Sequence, residues 1–222
     1  MSNYVLLSFG IAILLIGIFF FTYERKHPQP RDIMPIVIMC VISSLSRVIF
    51  SFIPQIQPST AIIIIMGVCY GKQIGFMTGA MTAIVSNMVL GQGPWTIWQV
   101  LAWGIIGLIA GWFPCYNFIQ IGHNRTKIVQ STKQVMKKYL NIGFIAIYAF
   151  FSAFLFSIII DIWTVSTLGS DLTLPMIISV FTAGIIFNIG HAIGNVLFFI
   201  LLYPVFTKKF QRLKLKYGIL NH

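Results

Sequence analysis

The 222-residue chain is 58% hydrophobic and only 9% charged, with a formal net charge of +11 and a mean hydropathy of +0.90. No soluble core is that apolar, so a water-soluble domain is excluded, and the positive charge needs a membrane explanation before a nucleic-acid one. The basic residues flank apolar stretches rather than lining an aromatic-studded face, which fits anionic lipid and topology and gives no nucleic-acid partner.

Seven apolar stretches follow one another, at about 4–23, 33–53, 60–71, 73–90, 97–118, 140–162 and 175–206. Seven crossings is the simplest count. With alternating crossings, the breaks holding Arg25, Lys26 and Arg31, then Lys72, then Arg125, Lys127, Lys133, Lys137 and Lys138, and finally Lys208, Lys209, Arg212, Lys214 and Lys216 fall on one side. The opposite breaks, 54–59, 91–96 and 163–174, hold no basic residue. Basic loops stay in the cytoplasm, so the amino terminus is expected outside and the carboxyl terminus inside, in a multi-pass cell-membrane protein.

The first stretch lacks a basic region before it and a small-residue cleavage site after it, so it is read as a retained helix. The outside turn Pro54-Gln55-Ile56-Gln57-Pro58-Ser59 is too short and proline-punctuated for a helix. Asn87 approaches the outer end of its helix and leads into Gly91-Gln92-Gly93-Pro94-Trp95, whose glycines break the helix and permit close backbone approach. Trp95, Trp98, Gln99 and Trp103 then follow at i, i+3, i+4 and i+8, which is expected to form an aromatic wall with an amide in it. An interfacial belt would account for Trp95 and Trp98, though not for the deeper Trp103. The inside stretch 120–139 is basic and amphiphilic enough to lie on the membrane surface.

In the last stretch Asn188, His191 and Asn195 share a face, and polar groups in hydrocarbon need partners. Asn188 is assigned to the outer pocket; for His191 and Asn195 ligand contact and interhelical hydrogen bonding both stay open. Arg47 and Asp161 lie at similar depths on two helices, and an ion pair between them and direct contact of either with a ligand are both open readings. The spacings Gly75-xxx-Gly79-xxx-Ala83, Gly107-xxx-Gly111 and Cys40-xxx-Ser44 let helix backbones approach.

Chemistry-bearing motifs are missing. Gly67 to Lys72 is one residue short of a P-loop and lacks the following Ser or Thr, so the chain has no ATPase site of its own. There is no HExxH, GxSxG, paired-carboxylate helix or CxxC, so no catalytic residue, metal site or cofactor is assigned. Asn124-Arg-Thr126 matches a glycosylation acceptor by chance, since it lies on the most basic inside loop.

From Ile33 onward the chain resembles the substrate-binding S component of energy-coupling factor (ECF) vitamin transporters. The resemblance rests on the turn Pro54-Gln55-Ile56-Gln57-Pro58, similar to that family's Pro-Asn/Gln-x-x-Pro pattern, and on the paired segments from Thr60 to Met88. The run from Gly91 to Trp112, with GQGPWTIWQ, resembles more narrowly the S components of cobalamin uptake. The resemblance implies an all-α integral membrane fold: a six-helix bundle over 33–207, preceded by an extra transmembrane helix and basic loop at 1–32 and followed by a basic tail at 208–222. It also implies that a vitamin, cobalamin or a related corrinoid first, is captured outside and delivered inward with a transmembrane coupling subunit and two cytoplasmic ATPases that use ATP. The expected substrate residues are Gln55, Gln57, Asn87, Gln92, Trp95, Trp98, Gln99, Trp103 and Asn188. Cys40 and Ser44 occupy the family's small-xxx-small coupling motif, where alanines are usual. Another vitamin or a nucleobase-like ligand, and a membrane-embedded enzyme, are the alternatives.

Overall fold

Backbone amides inside a bilayer have no water to bond, so an apolar chain of this kind must satisfy them within helices. A computed structural model describes residues 3–25, 30–113, 115, 132–168 and 173–217, and among them eight helices and no strand occur. They are α1 (Asn3–Glu24), α2 (Pro30–Ile49), α3 (Ser59–Tyr70), α4 (Lys72–Leu90), α5 (Trp95–Ala110), α6 (Thr132–Thr167), α7 (Leu174–Ala183) and α8 (Ile185–Tyr217).

Each of the seven apolar stretches contains a helix among the described residues, but the helices Ser59–Tyr70 and Trp95–Ala110 are shorter than a span. Five apolar segments are long enough to cross a membrane: Val5–Glu24, Asp32–Ile49, Lys72–Leu90, Tyr139–Thr167 and Leu174–Leu213. The 12 residues of α3 reach only about 18 Å, against a hydrocarbon core of about 30 Å. Every residue of α3 is buried in protein, so its ends have no lipid to meet.

Three boundaries differ from the sequence expectation. The last stretch is broken at Gly184 into α7 and α8. Residues 132–139, expected as surface loop, continue α6, and 208–217, expected as a tail, continue α8. The intervening basic loop, with Asn124, and the turn holding Asp171 lie outside the described residues.

Around α3 pack α2, α4, α5, α6 and α8. The closest pair is α4 with α5. A Cβ at Gly75 would strike the Gly107 carbonyl, one at Gly107 would strike that of Gly75, and one at Gly79 would strike the backbone of Trp103. Between α3 and α4 the chain reverses at Gly71, whose φ of +93° is left-handed territory open to glycine. The helix α1 lies outside this bundle against α4, α5 and α6, stacking Phe19 on Phe76 at 4.2 Å and setting Phe9 edge-on to Trp163.

The outer surface is apolar. Leu7 and Leu14 of α1, Phe144 and Phe151 of α6, and Ile193 and Leu201 of α8 are all more than half exposed, more hydrocarbon than a water-soluble monomer shows. At one end of the bundle Lys72 Nζ sits 4.6 Å over the Trp112 ring and Tyr70 meets Phe210 of α8, so the start of α4, the residues just after α5 and the basic end of α8 are neighbours. The polar side chains of α2, α3, α4 and α5 gather at the other end.

Candidate functional site

A cavity of about 220 Å³ opens at that second end, lined by Arg47, Phe50, Ser51, Ile53, Pro54, Gln55, Gln57, Leu90, Gln99, Trp103 and Phe156. Its rim is the turn between α2 and α3, where prolines at 54 and 58 preclude continuous helix. Gln55 in that turn has φ +63°, an uncommon conformation for a side chain larger than glycine's neighbours in such turns, Asn and Asp. Such outliers collect where the surrounding structure holds them for use.

One wall is a polar network built from three helices. Arg47 Nη1 on α2 donates to Ser86 Oγ at 2.6 Å and to Asn87 Oδ1 at 2.5 Å on α4. Asn87 Nδ2 in turn donates to Gln99 Oε1 at 2.7 Å and Thr96 Oγ1 at 2.9 Å on α5. The Asn87 amide thus spends both of its ends on protein and leaves Gln99, beside it, on the cavity wall. The guanidinium carbon of Arg47 lies 4.9 Å from the Trp103 ring centre, within cation–π range.

The floor is aromatic. Trp103 is fully buried, tilts against Phe156 at 5.1 Å, and donates its indole N–H to Thr60 Oγ1 at 3.1 Å. Thr60 Oγ1 is also 3.1 Å from His191 Nε2. The Thr60 hydroxyl accepts from the indole and shares a second hydrogen bond with His191 Nε2, whose direction the imidazole tautomer sets, which joins the three groups into one chain across α5, α3 and α8.

Of the nine residues expected to bind substrate, Gln55, Gln57, Gln99 and Trp103 line this cavity, and Asn87 stands directly behind it. The remaining four do not line it. Trp98 is turned away into a separate apolar cluster with Ala12 of α1 and Ile159 of α6, and its indole nitrogen has no hydrogen bond. Trp95 is exposed beside Gly93, Gln92 closes its own turn through Ile84 O and Thr96 Oγ1, and Asn188 donates to Ser157 Oγ at 2.8 Å.

Two further expectations change. No ion pair joins Arg47 to Asp161: the arginine is held by Ser86 and Asn87, and Asp161 accepts from Ser157 Oγ at 3.0 Å. Cys40 and Ser44 are buried, and Ser44 Oγ reaches Thr82 O of α4 at 3.4 Å, so in this conformation the pair is an internal α2–α4 contact. Asn195 is likewise internal, bonding Ala149 O and Ser152 Oγ of α6. Sequence reasoning missed Phe50 and Phe156 on the cavity wall. Phe156 is one of many phenylalanines along α6, with no local signal to set it apart.

A family model described as "ECF-type riboflavin transporter, S component" matches residues 33–209. A UPF0397 protein of Aliivibrio fischeri (strain MJ11) is 37% identical over 59 residues, 27% of this chain and 32% of that protein. Similar matches are found in Aliivibrio salmonicida (36% over 59 residues, 32% of that protein) and Vibrio atlanticus (34% over 59 residues, 32% of that protein). The chain therefore matches about a third of the length of these curated relatives. No solved structure matches it.

Proposed function

The chain belongs to the family of ECF-type riboflavin transporter S components, and on that premise we propose that it captures a flat heteroaromatic vitamin of flavin size in the cavity between the 50–58 turn, α5 and α6. The observation that carries this reading is the composition of the wall: Trp103, Phe50 and Phe156 supply ring faces, while Gln55, Gln57 and Gln99 supply amides that both donate and accept. A pyrimidinedione edge, as in riboflavin, offers the alternating acceptors and donor such amides match. A cavity of about 220 Å³ lies below the common range of ligand sites, about 300 to 1,000 Å³, which favours a small flat ligand over a corrinoid several times larger. The family description also names riboflavin rather than cobalamin.

The cavity end faces outward, because the basic residues Lys72, Lys208, Lys209 and Arg212 belong to the opposite end and basic residues remain cytoplasmic. Delivery inward requires a transmembrane coupling subunit and two ATPases, since the sequence has no phosphate-binding loop that would let this chain use ATP.

Titration of riboflavin into the detergent-purified chain, read by quenching of flavin fluorescence, tests the ligand class against cyanocobalamin measured by equilibrium dialysis. Saturable flavin binding at one site per chain with no retention of cyanocobalamin is expected. Saturable cyanocobalamin binding without flavin binding overturns the proposal in favour of a corrinoid.

A further inference from the structure

Arg47 brings a full positive charge to the cavity wall, and among the described residues nothing around it neutralises that charge. None of the eleven lining residues is acidic. Asp161 is turned to Ser157, and neither Glu24 nor Asp32 lines the cavity. The two groups that do bond Arg47, Ser86 and Asn87, are neutral and take only Nη1. Among the described residues no protein acceptor takes Nε or Nη2, and those two nitrogens form the side-on fork that matches a carboxylate or phosphate.

The group is also held in place. Asn87 is itself fixed by Gln99 and Thr96, Ser86 Oγ donates to Thr82 O at 2.6 Å, and the Trp103 ring lies beneath the guanidinium. A donor so restrained loses little freedom on binding, and a ligand that drove water from it without replacing the hydrogen bonds would lose affinity. If linking α2 to α4 were its whole role, a neutral donor would serve Ser86 and Asn87 as well and avoid placing an uncompensated cation at this depth.

We propose that Arg47 is a specificity-determining residue that reads an anionic group on the ligand, so that the site takes flat heteroaromatic vitamins bearing a carboxylate or phosphate in preference to their neutral counterparts. This rests on the capture function proposed above and narrows its substrate class.

The test is competition binding to the purified chain by three matched pairs: riboflavin with riboflavin 5′-phosphate, pyridoxine with pyridoxine 5′-phosphate, and nicotinamide with nicotinate. In the unaltered protein the anionic member of at least one pair is expected to bind tenfold or more tightly than its neutral partner, and which pair responds separates phosphate from carboxylate. Arg47→Gln should bring that ratio close to one, and Arg47→Lys, which keeps the charge but not the fork, should leave an intermediate ratio. The ratio is taken within each variant, so a general loss of folded protein does not move it. Neutral members binding as tightly as anionic ones, or a ratio that survives in Arg47→Gln, overturns the inference while leaving capture of a heteroaromatic vitamin intact. Failure of all six compounds to bind overturns the capture reading itself, and this inference with it.

Discussion

Arg47 and Asn87, forty positions apart in sequence, are joined by a hydrogen bond that ties α2 to α4 at the wall of the cavity. The Asn87 amide uses its oxygen for the arginine and its nitrogen for Gln99 and Thr96, so one side chain sets the positions of two cavity-lining groups.

Asn87→Leu is therefore expected to reduce stability by about 1–3 kcal/mol, the range for leaving buried polar partners unsatisfied, and to weaken ligand binding as well. Asn87→Asp keeps the acceptor and gives Arg47 a counter-charge, but loses the donors to Gln99 and Thr96. It should retain more thermal stability than Asn87→Leu in detergent while still binding ligand less well than the unaltered protein. Equal melting temperatures for the two variants would contradict this assignment of roles.

Close approach of α4 and α5 predicts a sharp contrast among glycines. Gly75→Ala and Gly107→Ala each drive a methyl group into the opposite backbone, an overpacking that typically costs about 1–3 kcal/mol. Gly143→Ala and Gly190→Ala meet nothing within 4 Å and should be neutral or slightly stabilising, alanine being the better helix former. Thermal unfolding of the four variants in one detergent checks the ranking.

The two buried tryptophans of α5 should separate cleanly. Trp103→Phe keeps a ring on the cavity floor but loses the hydrogen bond to Thr60, so binding should weaken with modest loss of stability. Trp98→Phe lies in the cluster with Ala12 and Ile159 and should leave affinity unchanged. Loss of binding in Trp98→Phe alone would return the ligand to the opposite face of α5.

That contrast marks the limit of what the sequence reveals. Trp98 and Gln99 looked like parts of one stripe because both are within four residues of Trp95. At 3.6 residues per turn, however, Gln99 and Trp103 are about 40° apart whereas Trp98 is about 140° round from Trp103, and the helix α1 claims that side. The small-residue spacings at Gly75, Gly79 and Gly107 were legible because only backbone contact requires them. The partners of Arg47 were not, because Ser86 and Asn87 are ordinary polar residues whose meeting with α2 depends on the packing angle of two helices. The break at Gly184 also escaped pattern reading, since the run around it is mostly apolar and glycine within such a run equally suits tight helix packing.

The central claim, that a ligand occupies an outward-opening cavity beside Arg47 and Trp103, is tested most directly by site-directed labelling at Ser51, an exposed cavity residue. In a background with Cys40, Cys69 and Cys115 replaced by alanine, Ser51→Cys is exposed to a membrane-impermeant maleimide applied from outside intact cells, with and without riboflavin or riboflavin 5′-phosphate. Labelling from outside that either flavin slows severalfold is expected, with no such protection at an exposed control away from the cavity, Thr173→Cys. Labelling of Ser51→Cys only after the cytoplasmic face is opened, or at a rate that neither flavin changes, would contradict it.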